Sequence, residues 1–250
     1  MELQDTSYKI YRLSKKEWLS YGGQGIVFVS VICYVFYRSF FVFLLLLPIG
    51  LGYPFLIRKE LKRKRLERLR GQFKDAILAA ASCLNAGYSV ERAFSEALKE
   101  VDQIHGSDSM ISEEIRLILR KTGVNRTFEE GLLDFASRSG LPEVKSFAEV
   151  FLAARSNGGE LMKMIAQTAE IIGEKIRIRE DILTVTASRR LEIKVMCSVP
   201  ILIVLYLDLT SPGYFEVLYT TFVGRMIMTV CLVTYLASMW LAKKLLEISL

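Results

Sequence analysis

Apolar residues follow two regimes along this chain. Between residues 72 and 190 they recur every three to four positions among charged ones, the spacing of a single buried stripe on a helix. In residues 18–37, 40–57, 195–207 and 217–242 they run almost without interruption. The two regimes meet within one stretch. Leu161, Ile165, Ala169, Ile172, Ile176, Leu183 and Thr186 or Ala187 mark a stripe opposite Glu174, Lys175, Arg177, Arg179, Glu180, Asp181, Arg189 and Arg190. From Val195 to Leu207 that polar face is gone, Ser198 excepted. The pattern predicts one long helix, amphipathic in water as far as Lys194 and lipid-facing beyond it. Such a helix joins a water-soluble body to a membrane span without a flexible joint.

Residues 18–37 and 40–57 flank Arg38 and Ser39, and each is close to the ~20 residues that cross a ~30 Å hydrocarbon core. A single helix over both would be too long, so a hairpin of two spans is expected. Pro48, Gly50, Gly52 and Pro54 are expected to break up the second span, a break that survives in lipid where a neighbouring helix covers the freed backbone groups. Trp18, Tyr21 and Tyr53 suit the interfacial belts. Residues 1–20 lack the layout of a cleavable leader and are expected to stay attached.

Five further helices precede the long one. A small-residue helix over residues 72–85, with Ala79, Ala80, Ala81 and Ser82, leaves room for a close neighbour and stops at Gly87. Ser89 caps the next, with Ala93, Phe94, Ala97, Leu98 and Val101 on its inner face. After a polar loop at residues 103–109, Ile111, Ile115, Ile118 and Leu119 face inward on a helix that ends at Gly123. Thr127 and Glu130 form a capping box for a helix that ends near Gly140. Pro142 opens a helix with Val144, Phe147, Val150, Phe151 and Ala154 inward, closed by Asn157, Gly158 and Gly159. No alternating strand of useful length is present. The expected fold is all-α: four transmembrane helices and an up-and-down cytoplasmic bundle of about six helices.

Charge fixes the orientation. Arg58, Lys59, Lys62, Arg63, Lys64, Arg65, Arg68, Arg70 and Lys74 stand against Glu60 and Glu67, a local +7, so the rest of the chain carries −1 of the formal +6. The basic balance therefore reports one juxtamembrane cluster rather than a nucleic-acid surface. Positive-inside bias makes that cluster cytoplasmic, and with it both termini. The expected layout is a cytoplasmic segment 1–17, a hairpin 18–57, a basic segment and helical domain 58–194, a third span 195–209, an external turn 210–216, a fourth span 217–242 and a cytoplasmic tail 243–250. Arg58 through Arg70 are candidate contacts for anionic lipid or an acidic partner. Arg225 is expected to snorkel to the outer interface or to pair with an acidic residue of another span.

Catalytic constellations are not found. There is no phosphate-binding loop, no G-x-S-x-G and no H-E-x-x-H, and Gly22, Gly23 and Gly25 follow no strand. Cys33, Cys83, Cys197 and Cys231 are widely spaced and read as small buried hydrophobes. His105, the only histidine, reads as a solvated loop residue. Glu113, Glu114, Glu129 and Glu130 lie near helix starts, where the helix dipole favours them. Neither catalytic residues nor a cofactor or metal is expected. A small transporter or channel accessory protein with a helical regulatory domain is the alternative. It calls for ionisable residues deep in the spans, and Asp208 and Arg225 are only edge candidates.

Residues 84–94, with Gly87, Ser89 and Ala93, resemble the helix-Gly-helix signature of the type II secretion system F domain, and residues 156–161, with Gly158, Gly159 and Leu161, resemble its second signature. The charged helix running into Pro200, then Ser211-Pro212-Gly213-Tyr214 and Val223-Gly224-Arg225, are similar to the C-terminal part of Tad (tight adherence) pilus platform proteins, more TadB-like than TadC-like. The resemblance implies a non-catalytic platform in the bacterial inner membrane. Its implied partners are a separate cytoplasmic assembly ATPase, prepilin or pilin taken from the bilayer, membrane lipid, and a second copy or a sister platform protein, since larger relatives carry two F domains. The implied mechanism transmits ATPase motion through the bundle into the long helix, so that a proline at Ile176 is expected to abolish pilus assembly while leaving membrane insertion intact.

Overall fold

The computed structural model describes Tyr8 and residues 15–122, 127–154, 161–211 and 213–248. Among these residues every regular element is a helix: α1 (Lys15–Phe36), α2 (Phe40–Asn85), α3 (Val90–His105), α4 (Met110–Thr122), α5 (Phe128–Ser139), α6 (Pro142–Ala154), α7 (Leu161–Thr210), α8 (Glu216–Thr220) and α9 (Phe222–Ile248). The all-α expectation holds. Packing divides the chain into two compact units, one of Met1–Arg12 with Lys59–Arg179 and one of Leu13–Arg58 with Glu180–Leu250. Helices α2 and α7 contribute to both.

The first unit is built around phenylalanine. Phe73, Phe94, Phe128, Phe135, Phe147 and Phe151 are all at most 4% exposed, with neighbouring ring centroids 4.7–6.5 Å apart. Burying each such ring contributes roughly 1.5–3 kcal/mol. The stripe on α7 faces the same core through Ile165, Ala169, Ile172 and Ile176. A Cβ on Gly173 would come within 3.0 Å of Leu78, so α7 lies against α2 where a side chain is missing. The small residues of α2 serve this same interior. Ala79, Ala80 and Ala81 are buried at 7%, 1% and 3%, so they form no groove for a second copy.

Helix ends follow local chemistry. Gly87 has φ +88°; its N–H donates to Leu84 O at 2.9 Å and the Tyr88 N–H to Cys83 O at 3.1 Å, the paired bonds of a Schellman cap. Ser89 occupies the N-cap of α3, but its side chain makes no capping bond. Thr127 Oγ1 accepts from the Glu130 N–H at 3.3 Å, and Gly140 ends α5 in the left-handed region with φ +67°. Gly123 lies outside the described residues. The loop expected at 103–109 is shorter than its polarity implied, because α3 continues to His105 and stops at Gly106 with φ +86°.

In the second unit, α1 and the first part of α2 form a helical hairpin, with Arg38 at φ +46° in the turn. The expected break in α2 does not occur: Pro48 and Pro54 both lie inside a continuous helix. Each proline removes one i→i−4 bond, a smaller loss than ending the helix would be. The neighbour of this segment is α1, since a Cβ on Gly50 would stand 3.2 Å from Gly25 O and from Val29 Cγ2. Backbones approach there through paired glycines, as membrane helices commonly do. The side chain of Tyr53 lies outside the described residues.

The fourth apolar segment is also differently cut. A separate short helix, α8, occupies Glu216–Thr220, and the long helix begins at Phe222 rather than Val217 and runs past Lys244 to Ile248. Thr221, with ψ +141°, turns the chain. A Cβ on Gly224 would fall 2.6 Å from the Cα and the carbonyl oxygen of Leu218, so only glycine permits this fold-back.

Three helices among the described residues are long and apolar enough to cross a membrane: Trp18–Phe36, the apolar part of Lys163–Thr210, and Phe222–Ala242. The apolar part of α7 has none of its residues buried, with Met196 68%, Leu202 60% and Leu209 82% exposed. A continuous surface of this kind is stable against lipid and not against water.

Candidate functional site

The first unit holds two buried ionic clusters. Glu114 on α4 and Arg138 on α5 are 4% and 8% exposed and meet in a two-pronged bridge, with both Nη–Oε distances at 2.6 Å. Arg138 Nε also donates to Asp134 at 3.1 Å, and Lys121 Nζ reaches the same carboxylate at 3.0 Å. Tyr8 closes the cluster: its hydroxyl donates to Glu114 at 2.8 Å, its N–H donates to Arg138 O at 3.2 Å, and Arg65 lies 5.2 Å from its ring centroid. Burial, with the Glu114 charge and hydrogen bond added, pushes the Tyr8 hydroxyl far above its ordinary pKa, so it stays a donor. Hydrogen bonding to Glu114, which outweighs burial, holds Arg138 firmly charged. For Asp134, burial acts upward, but the Lys121 and Arg138 contacts bring the net value below the ordinary one.

The second cluster joins α2, α6 and α7. Arg70 donates to Glu67 at 2.5 Å, and Arg179 donates to Glu67 at 2.9 Å. Arg70 Nε lies 3.1 Å from Glu143 Oε2, a charge contact rather than an aligned hydrogen bond. Burial raises the Glu67 carboxyl, but bonds from Arg179 and Arg70 outweigh it and hold the group below its usual range. These pairs neutralise carboxylates inside the helical body. They fasten helices together.

Arg70 is thereby corrected as a contact residue. It is 7% exposed and occupied within the chain, because it sits four residues after Leu66 and three before Phe73 on the core side of α2. Arg65 is engaged by Tyr8. Arg58, Lys59, Lys64 and Arg68 are exposed, and Lys62 and Arg63 half-buried. Of the signature residues, Gly87 and Ser89 form the α2–α3 corner and Ala93 is 0% exposed in the core. Gly158 and Gly159 lie outside the described residues, as does the side chain of Leu161. Pro200 is exposed within α7. The bond that its missing N–H would make to Met196 O is lost, and Tyr235 Oη brings a donor next to the gap, 2.8 Å from Cys197 O.

In the second unit, Arg38 pairs with Asp208 and lies 5.3 and 5.4 Å from the ring centroids of Tyr34 and Tyr219. Tyr219 Oη donates to Val35 O at 2.6 Å, and Tyr37 Oη to Thr229 at 3.1 Å. This ties the turns of the second unit into one polar cluster. Arg225 pairs with no acidic residue of another helix among the described residues; its Nε donates to Tyr219 O at 2.9 Å across the α8–α9 bend. His105 is likewise not a free loop residue: it ends α3, and its Nε2 lies 2.8 Å from Asp75 Oδ2. No group of three metal-binding side chains is found among the described residues.

Glu114 and Arg138 were missed as partners in the sequence, yet both break a pattern. Glu114 lies between Ile111 and Ile118 on the apolar stripe of α4, and Arg138 three residues after Phe135 on that of α5. An ionic residue on a core stripe implies a buried counter-charge.

The fold and its clusters define a membrane protein made of apolar helices and a helical body held by buried aromatic and ionic contacts. The family described as type II secretion system (T2SS), protein F, matches residues 76–208, more than half of the chain, and the chain belongs to that family. Its members are non-catalytic inner-membrane platform proteins of secretion and type IV pilus machines. Comparison with curated proteins and with solved structures gave no match.

Proposed function

We propose that this protein is the platform of a Tad/Flp pilus or a type II secretion machine and transmits the work of a cytoplasmic ATPase to pilin in the bilayer. The chain crosses the membrane four times, at residues 18–37, 40–57, 195–209 and 222–242, with both termini and the helical body in the cytoplasm. The observation that carries the reading is the family match over residues 76–208, which begins in the small-residue part of α2 and ends at Asp208 on α7. It thus joins the signature corner to the long helix. Charge supports the orientation: the basic run follows the second span, while Asp208 and Glu216 flank the opposite turn. The transporter reading loses support, because Asp208 is bound to Arg38 at the helix ends rather than standing in mid-span.

Arg58, Lys59, Lys62, Arg63, Lys64 and Arg68 form the contact surface for the motor or for lipid headgroups. A photocrosslinking residue at Arg68 in the full chain, in cells that make the secretion ATPase, is expected to give an adduct with that ATPase. Absence of the adduct from Arg68 and from every other residue of this set would overturn the docking assignment.

A further inference from the structure

We propose that the cleft between α7 and α9 is a binding site for one acyl chain of an anionic phospholipid, with the headgroup held by Arg189 and Arg190. The cleft lies within the second unit, has a volume of about 350 Å³, and is lined by Ile193, Met196, Cys197 and Pro200 on one helix and Tyr235, Ser238, Met239 and Ala242 on the other. Its two hydroxyls are already used. Tyr235 donates to Cys197 O at 2.8 Å and Ser238 to Thr234 O at 2.9 Å. The wall therefore recognises hydrocarbon rather than a polar ligand.

The cleft has room for the occupant. Ile193 to Pro200 spans about 10 Å of helix, so the mean section of the cleft is on the order of 35 Å². A single chain of methylenes fits.

Charge selects the headgroup. Arg189 and Arg190 precede Ile193 by four and three positions, which puts them one turn beyond it on the same side of α7. From Arg189 to Lys194 three cations meet one carboxylate, Glu192, which lies 3.1 Å from Arg189. That pair is exposed and leaves the local balance positive. On α9, Trp240 lies beneath Lys244, with Nζ 4.9 Å from the ring centroid, an amphipathic pair of the kind found at the headgroup level. Arg189, Arg190 and Lys244 thus stand at one end of the cleft, and Pro200 and Tyr235 at the other. Basic pockets between membrane helices on the cytoplasmic side are a recurring means of holding acidic headgroups.

The test is native mass spectrometry of the full chain released from nanodiscs of phosphatidylcholine containing phosphatidylglycerol. One phosphatidylglycerol is expected to stay bound in preference to phosphatidylcholine. The double variant Arg189→Gln/Arg190→Gln, altered only at the surface, is expected to weaken that preference by about thirtyfold. Ala242→Phe, which fills the cleft, is expected to remove the retained lipid whatever its headgroup. Equal retention of both lipids by the unaltered chain, or a preference unchanged in the arginine variant, would overturn the proposal. Displacement of phosphatidylglycerol by an apolar transmembrane peptide would overturn it in favour of a helix as occupant.

Discussion

Replacing Arg138 by methionine is expected to lower the opening free energy of α4 and α5 by about 3–5 kcal/mol. Arg138 is buried, and it makes the two-pronged bridge to Glu114 as well as the bond to Asp134. Removing it leaves the Glu114 carboxylate almost fully inside the bundle, with the Tyr8 hydroxyl at 2.8 Å as its remaining partner among the described residues. A buried charge that has lost its counter-ion costs far more than the pair contributed, because its desolvation is no longer offset. The double variant Glu114→Leu/Arg138→Met removes both charges and is expected to recover most of the loss. Amide hydrogen exchange over α4 and α5 of the full chain reads the difference directly. Exchange in Arg138→Met indistinguishable from the unaltered protein would show that the bridge does not hold these helices.

A proline at Ser188 is expected to abolish pilus or secretion assembly without preventing membrane insertion. Ser188 is exposed on α7 between the bundle core at Ile176 and the apolar segment from Val195. The substitution removes the bond to the Thr184 carbonyl and crowds the preceding turn, which costs about 3 kcal/mol or more and kinks the helix. Ile176 is the poorer place for this test. It is 1% exposed, so a proline there would unpack the core as well as bend the helix. In the Ser188→Pro variant, hydrogen exchange of α3 to α6 should match the unaltered chain while assembly fails. Normal assembly would mean that work does not pass through α7.

Much of this architecture was legible in the sequence because its determinants are local. Apolar period marked the core stripes of α3, α4, α6 and α7, and Gly87, Thr127, Gly140 and Pro142 marked helix ends through backbone requirements that need no tertiary contact. What was missed depends on partners far apart in the chain. The α8–α9 bend rests on a close approach of Gly224 to Leu218, which no periodicity reveals. α2 runs on through Pro48 and Pro54 with α1 close beside it at Gly50, a contact that no local pattern reveals. Tyr8 meets residues 106 and 130 positions away, and Asp208 meets Arg38 across 170. Arg70 reads in sequence as one more member of a solvated basic run, whereas in the fold Glu67 and Glu143 surround it.

The sidedness of the helical body decides whether a cytoplasmic motor can act on it. With the four native cysteines replaced, a single cysteine at Lys99, which is exposed on α3, is to be probed with a membrane-impermeant maleimide in intact cells and in inverted membrane vesicles. Labelling in inverted vesicles but not in intact cells is the result expected here. Labelling of intact cells would place the body outside and contradict the account.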